Sequence, residues 1–150
     1  MEHAVKRLSI LVAGITFSST IPLLCMAQAT SPASSAAAPA PIRAVLETRD
    51  VDGAPGKQLV LGTVKMLPGA VAPWHTHPGD EAGYVLSGIL VLKQKGQPDR
   101  TLHAGDHFFN PAGLVHELLA GPGDEGGSEV STWVVDKGKP MATPAPAPQQ

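Results

Sequence analysis

From about residue 42 to residue 140, short apolar stretches alternate with turn-forming residues at nearly regular intervals, the rhythm of an all-β domain. Arg43 to Val51 and Lys57 to Met66 are separated by Asp52-Gly53-Ala54-Pro55-Gly56, and Pro68-Gly69 makes the next break. Ala82 to Leu86 runs through Gly88 into Ile89 to Leu92, Gly96 to Asp99 reverses the chain before Thr101 and Leu102, and Gly105-Asp106 turns it again. His107 to Phe109 leads to Pro111-Ala112-Gly113. Val115 to Leu119 then forms a strand, Gly121 to Gly127 a flexible loop, and Glu129 to Asp136 the last strand. No window of helical length shows a clean 3.6-residue apolar period, so the pattern predicts about eight to ten short strands in a jelly-roll β-barrel with little helix.

The ends differ from this middle. Lys6 and Arg7 precede an apolar run from Leu8 to Phe17, and Ala27-Gln28-Ala29 has the small-x-small form of a cleavage site, so residues 1–29 read as a signal peptide. A retained membrane anchor is the competing reading. Thr16, Ser18, Ser19, Thr20 and Pro22 interrupt the apolar stretch before it reaches the roughly 20 residues of a span. Residues 30–41 form an Ala/Ser/Pro-rich linker and residues 141–150 a disordered tail, because neither has the large apolar side chains that offset the entropy of ordering. The folded domain is expected over residues 42–140, and the protein in the periplasm or secreted.

Cleavage would remove Cys25, the sole cysteine, and with it any disulfide, thiolate ligand or cysteine nucleophile. Loss of Lys6, Arg7 and Glu2 takes the 11 basic and 13 acidic residues to 9 and 12, a formal charge of −3. That balance argues against nucleic acid, whose binders need a basic patch to neutralise phosphates.

The candidate chemistry lies in histidines and one carboxylate. His75 and His77 are two apart, so on an extended strand both leave the same face while Thr76 leaves the other. Glu81, beyond the turn-forming Pro78 and Gly79, can return to the same point, and His116 must arrive from a distant strand. Three imidazoles and a carboxylate suit one divalent transition metal ion (Fe, Mn, Ni, Cu or Zn), and affinity order alone does not choose among them. Alternation places Gly83 and Val85 on the face of Glu81, and Leu114 and Leu118 on that of His116. Glu117 then points outward as a solvated carboxylate, and Tyr84 lies on the outer face. The pocket beyond the four ligands is expected to be apolar. His103 and His107 are lesser candidates, and Trp74 a candidate wall of the entrance.

Two motifs carry a resemblance. The first is Gly69, five residues, His75, one residue, His77, three residues, Glu81, six residues, Gly88; the second is Gly105, five residues, Pro111, Ala112, Gly113, two residues, His116. From Ile42 to Asp136 the chain resembles the cupin family, in particular small single-domain type-2-like cupins. It departs only at the last position of the second motif, where Ala120 replaces the usual Asn. The resemblance implies a metal centre of His75, His77, Glu81 and His116, and a homodimer. Glu81 would serve as ligand or as a catalytic proton acceptor in a dioxygenase-like enzyme acting on a small molecule. The alternative is a non-catalytic module that binds a small ligand or a metal, because one scaffold serves many activities.

Overall fold

The computed structural model describes residues 37–149, so the signal-peptide reading and most of the linker reading fall on residues outside those described. The described residues form nine strands and no helix: β1 (Ile42–Asp50), β2 (Lys57–Met66), β3 (Val71–Thr76), β4 (Glu81–Gln94), β5 (Arg100–His103), β6 (His107–Asn110), β7 (His116–Ala120), β8 (Gly127–Asp136) and β9 (Thr143–Pro144). The all-β expectation holds, and β2 has the predicted limits.

Every pairing is antiparallel. The strands follow the order β1-β2-β8-β4-β7-β3-β9, with β5 and β6 also paired to β4, in one curled sheet. β4 is the hinge of this curl. Its first half, Glu81 to Gly88, pairs with β8, and its second half, Leu90 to Gln94, pairs with β7. The register shifts between Val85 and Ser87, where an extra residue bends the strand and changes which parity faces inward. Glu81, Gly83 and Val85 are buried before the shift; Leu90, Leu92 and Gln94 are buried after it. Gly88 sits at the corner with a φ of 70°, and a Cβ there would lie 2.1 Å from the carbonyl oxygen of Gly126, so only glycine lets the two backbones approach.

Strict alternation on β2 and β8 builds the core. Val60, Val64 and Met66 point inward from β2, Trp133 and Val135 from β8, and they meet Val85, Leu90, Leu92, Leu102, Phe108 and Leu118. Each such side chain contributes about 1.5–3 kcal/mol on burial, and the apolar layer fixes the strands whose other inward positions are polar. The buried polar residues are Glu81, Gln94, Asn110, His116, Glu129 and Ser131 on strands and His77 just beyond β3.

The stretch expected to be a disordered tail forms a strand at Thr143–Pro144, which pairs with His75 and Thr76 of β3. This edge pairing uses main-chain groups, so an Ala/Pro-rich segment without large apolar residues can make it.

Candidate metal centre

A bulge aims the first histidine. β3 runs in register with β7 at Val71 and Ala72, slips across Pro73 and Trp74, and resumes at His75 opposite His116. Without the extra residue, Ala72 and His75 would leave opposite faces; with it, both line one cavity. Proline is tolerated where the ladder is broken. His77 then follows on the same face. Gly79 is required next, because a Cβ there would fall 1.4 Å from the carbonyl oxygen of Val134 on β8. That close approach returns the chain to the sheet at Glu81, and Val134 N–H donates to the carbonyl of Asp80 at 2.9 Å.

The structure brings His75, His77 and His116 together, with their candidate ligand nitrogens all within 4.8 Å of one another. The ring centroids of His75 and His116 lie 4.2 Å apart, and that of His77 is 4.9 Å and 5.0 Å from the other two. Glu81 stands beside the cluster, with its Oε2 at 3.4 Å from Nε2 of both His77 and His116.

Each imidazole is oriented by its other nitrogen. Nδ1 of His75 lies 2.7 Å from the carbonyl oxygen of Pro73, that of His77 2.6 Å from Met141, and that of His116 2.9 Å from Leu114. A carbonyl oxygen only accepts, so each Nδ1 is the hydrogen-bearing nitrogen and each Nε2 is the one left to face the cluster. Metal-ligating histidines are held in this way, and the donor set of three imidazoles and a carboxylate fits a divalent first-row ion.

Burial, reinforced by the neighbouring His116, pushes the His75 imidazole down to about 4, which keeps it neutral at ordinary pH. Burial alone would push the Glu81 carboxyl up. The neighbouring His116 and His77, with the amide of Asn110 donating, outweigh it and hold Glu81 well below the ordinary carboxylate range. Asn110 Nδ2 donates to Glu81 Oε2 at 2.7 Å, and Gln94 Nε2 donates to Asn110 Oδ1 at 2.7 Å and to the carbonyl of Phe109 at 2.9 Å. Glu81, Asn110 and Gln94 thus form one buried chain of side chains whose far end is anchored on the backbone.

The cluster lines an inner cavity of about 30 Å³, room for little beyond an ion and a water. An outer pocket of about 320 Å³ shares Arg43, His75, His77 and Trp133 with it and adds Pro73, Trp74 and Met141. Trp74, a candidate wall of the entrance, lines this outer pocket. His103 and His107 are exposed and line neither space.

Three expectations change. Glu117 faces away from the cavity but is not fully solvated: its side chain is only 13% exposed and lies 3.8 Å from Lys93 Nζ, because β7 pairs with β4 there. Leu114 precedes β7 and lines neither space, so only Leu118 joins His116 on the inner wall. The pocket is also not apolar beyond the four residues. Glu129 is buried, lines the inner cavity, and has its carboxyl pushed up to about 8 by burial, with the charge of Glu81 second. The alternation Glu129, Ser131, Trp133, Val135 was the signal for it, since Trp133 and Val135 facing inward carry Glu129 inward with them.

The cupin domain family matches residues 62–135. The chain is 40% identical over 53 residues to dimethylsulfoniopropionate lyase DddQ of Ruegeria pomeroyi, covering 35% of this chain and 26% of that protein. It is 35% identical over 71 residues to germin-like protein 3-1 of Oryza sativa subsp. japonica, covering 44% of this chain and 32% of that protein. It therefore spans less than a third of either relative. Among solved structures, that of the Ruegeria pomeroyi lyase superposes with a TM-score of 0.52 at 29% identity, over 57% of this chain and 42% of that one. A cupin-like protein from Thermotoga maritima gives a TM-score of 0.48 at 26% identity, over 62% and 67% of the two chains.

Proposed function

Residues 62–135 form a cupin domain, and on that footing we propose that the chain is a metal-dependent enzyme whose ion is held by His75, His77, His116 and Glu81 and whose substrate is a small organic molecule. The observation that carries the reading is the shared orientation of the imidazoles, each with Nδ1 tied to a carbonyl and Nε2 left for the centre. A bound divalent ion would supply Lewis acidity and open positions for substrate oxygens.

The chain's own residues do the rest. Asn110 and Gln94 fix the rotamer of Glu81, and the carbonyls of Pro73, Leu114 and Met141 fix the rings. The small inner cavity keeps bulk water from the cluster, while the outer pocket accepts the body of the substrate.

Among reaction types we place lyase chemistry ahead of the dioxygenase reading. Similarity to a protein named as a lyase supports it, and so does Glu129, a carboxyl beside the cluster able to exchange a proton.

Elemental analysis of protein purified without chelator or added metal tests the centre, with about one ion per chain expected. Absence of any ion, even after reconstitution, would remove the enzyme reading in favour of a binding module. Loaded protein is then assayed for consumption of dimethylsulfoniopropionate and related small organic acids, and for oxygen uptake with phenolic and dicarbonyl compounds. Oxygen uptake would restore the dioxygenase. Tight binding without turnover of either group would support the binding module.

A further inference from the structure

The C-terminal segment lies beside the histidine cluster but is held to the rest of the fold by few contacts. Beyond β8 the chain turns at Gly138, whose φ is 74°, and Lys139 N–H donates to the carbonyl of Asp136 at 3.2 Å. The segment then runs along the edge of β3 that faces away from β7. Its ties there come from its main chain. Thr143 and Pro144 pair with Thr76 and His75, Ala145 N–H donates to the carbonyl of Trp74 at 2.9 Å, and the carbonyl of Met141 accepts from His77 Nδ1. Pro144 has no N–H to give to the ladder. None of residues 141–149 is buried, and Ala142, Thr143 and Pro144 are exposed. The core takes from this segment only the partly buried Met141 side chain.

This weakly held segment closes the route to the cluster. Met141, Ala142 and Pro144 form one wall of the outer pocket, whose other walls include Trp74, Trp133, His75 and His77. The inner cavity shares His75, His77 and Trp133 with that pocket, so an ion or small molecule reaches the histidines through it. Segments with few buried apolar contacts and exposed backbone hydrogen bonds are the ones that open at low free energy while the core stays folded.

We propose that residues 139–149 form a strap that opens by peeling β9 from β3 about Gly138, admits an ion or small molecule to the outer pocket, and on reseating returns the carbonyl of Met141 to His77. In the open state His77 Nδ1 has lost its acceptor, so closure of the pocket and orientation of a ligand ring are one event. Loss of such a partner weakens metal binding by about 10–100-fold, and linkage requires that a bound ion favour the closed strap by the same factor. The opening rests on the strap's own contacts; only its coupling to the ion rests on the metal-dependent reading.

Hydrogen exchange followed by NMR in metal-free full-length protein reads the opening. The comparison is between Ala145 N–H, on the strap, and Val85 N–H, which donates to the carbonyl of Asp106 from the fully buried part of β4. Ala145 is expected to be protected, but at least about 100-fold less than Val85, and to exchange at a rate insensitive to urea below the unfolding transition. Equal protection with equal urea dependence would overturn the strap by showing that it opens only on global unfolding, and no protection at all would overturn it by showing that it is never seated. Trp133, 4% exposed, reports access in Trp74→Phe protein, where it is the one tryptophan. Acrylamide quenching of its fluorescence is expected to rise about two-fold or more on deletion of residues 141–150, and part of the way in Ala145→Pro, which removes the donor to Trp74 and keeps the segment. Unchanged quenching in both variants would mean that the segment does not cover the pocket. Saturating zinc, with its content measured, is expected to slow Ala145 exchange by about 10–100-fold. Bound zinc without that slowing would overturn the coupling to His77, whereas unbound zinc with the local opening intact would count against the metal centre alone.

Discussion

The ring of His77 is held from the far end of the chain: its Nδ1 lies 2.6 Å from the carbonyl oxygen of Met141, 64 positions away. This hydrogen bond ties the C-terminal segment to the histidine cluster, and β9 reinforces it by pairing Thr143 and Pro144 with Thr76 and His75. Deleting residues 141–150 is therefore expected to weaken metal affinity by about 10–100-fold, the usual cost of losing a partner that orients a ligand. Competition with a chromophoric chelator measures it. Met141→Ala keeps the carbonyl and is expected to bind metal nearly as the wild type does, so equal losses in the two variants would show that the side chain, and not the main-chain bond, matters.

Asn110 is the middle of the buried chain from Glu81 to Gln94, and it is 1% exposed. Asn110→Leu is close in volume but leaves Glu81 Oε2 without its amide donor. We expect a loss of about 1–3 kcal/mol in urea unfolding, together with weaker metal binding. Asn110→Asp should be worse for folding, since it sets a second carboxyl against Glu81 in a buried site. Comparable stability of the two variants would mean that packing, and not the hydrogen bond, is what Asn110 supplies.

The histidines were legible in the sequence because a spacing of two survives whatever precedes it: the bulge at Pro73 and Trp74 moves His75 and His77 together. The bulge itself was not legible, since counting from Ala72 would place His75 on the wrong face. Glu117 was correctly assigned to the face away from the cavity, but its cover by Lys93 depends on a pairing with β4 that no local pattern encodes. Asn110 and Glu129 were missed because a polar residue in an alternating strand reads as solvent-facing until its apolar neighbours of the same parity are known to be inside. The β9 pairing was missed because it rests on backbone groups alone.

That reading of faces is open to a paired test. His77→Ala is expected to reduce metal content sharply while leaving the β-sheet circular dichroism in place, and Glu117→Ala to leave metal content unchanged. Glu117 is largely covered beside Lys93 and outside the cavity, so its loss should lower stability without touching the metal. Metal loss in Glu117→Ala would mean that the phase of β7 is wrong.

Gly79 fixes the path between His77 and Glu81, since a Cβ would overlap the carbonyl of Val134, which is backbone and cannot rotate away. Gly79→Ala is expected to displace the loop from β8 and break the bond from Val134 N–H to Asp80. A destabilisation of roughly 3 kcal/mol or more should follow, in the range reserved for backbone conflicts. Thermal melting of the metal-free protein reads it without involving the centre. A melting temperature equal to that of the wild type would mean that the loop does not lie against β8 in solution.

Glu129 gives stability a dependence on pH whose sign is fixed by the direction of its shift. Its carboxyl titrates near 4.5 when exposed and is pushed up to about 8 by burial, with the charge of Glu81 adding to the effect. Between those values the folded protein holds a proton that the unfolded chain has released, so its contribution is fully present below about 4.5 and is lost as pH rises toward 8. His75 acts in the opposite sense: its imidazole is pushed down from 6.5 to about 4, so the stability it contributes is lost as pH falls through that window. A single stability curve therefore mixes the two. Subtracting the curve of Glu129→Gln cancels His75 and leaves Glu129, and the difference is expected to move steadily in favour of the variant from pH 4.5 to pH 8 and then to level off. Urea unfolding of metal-free protein at half-unit steps of pH measures it. A flat difference would mean that the Glu129 carboxyl reaches water or a cation in solution.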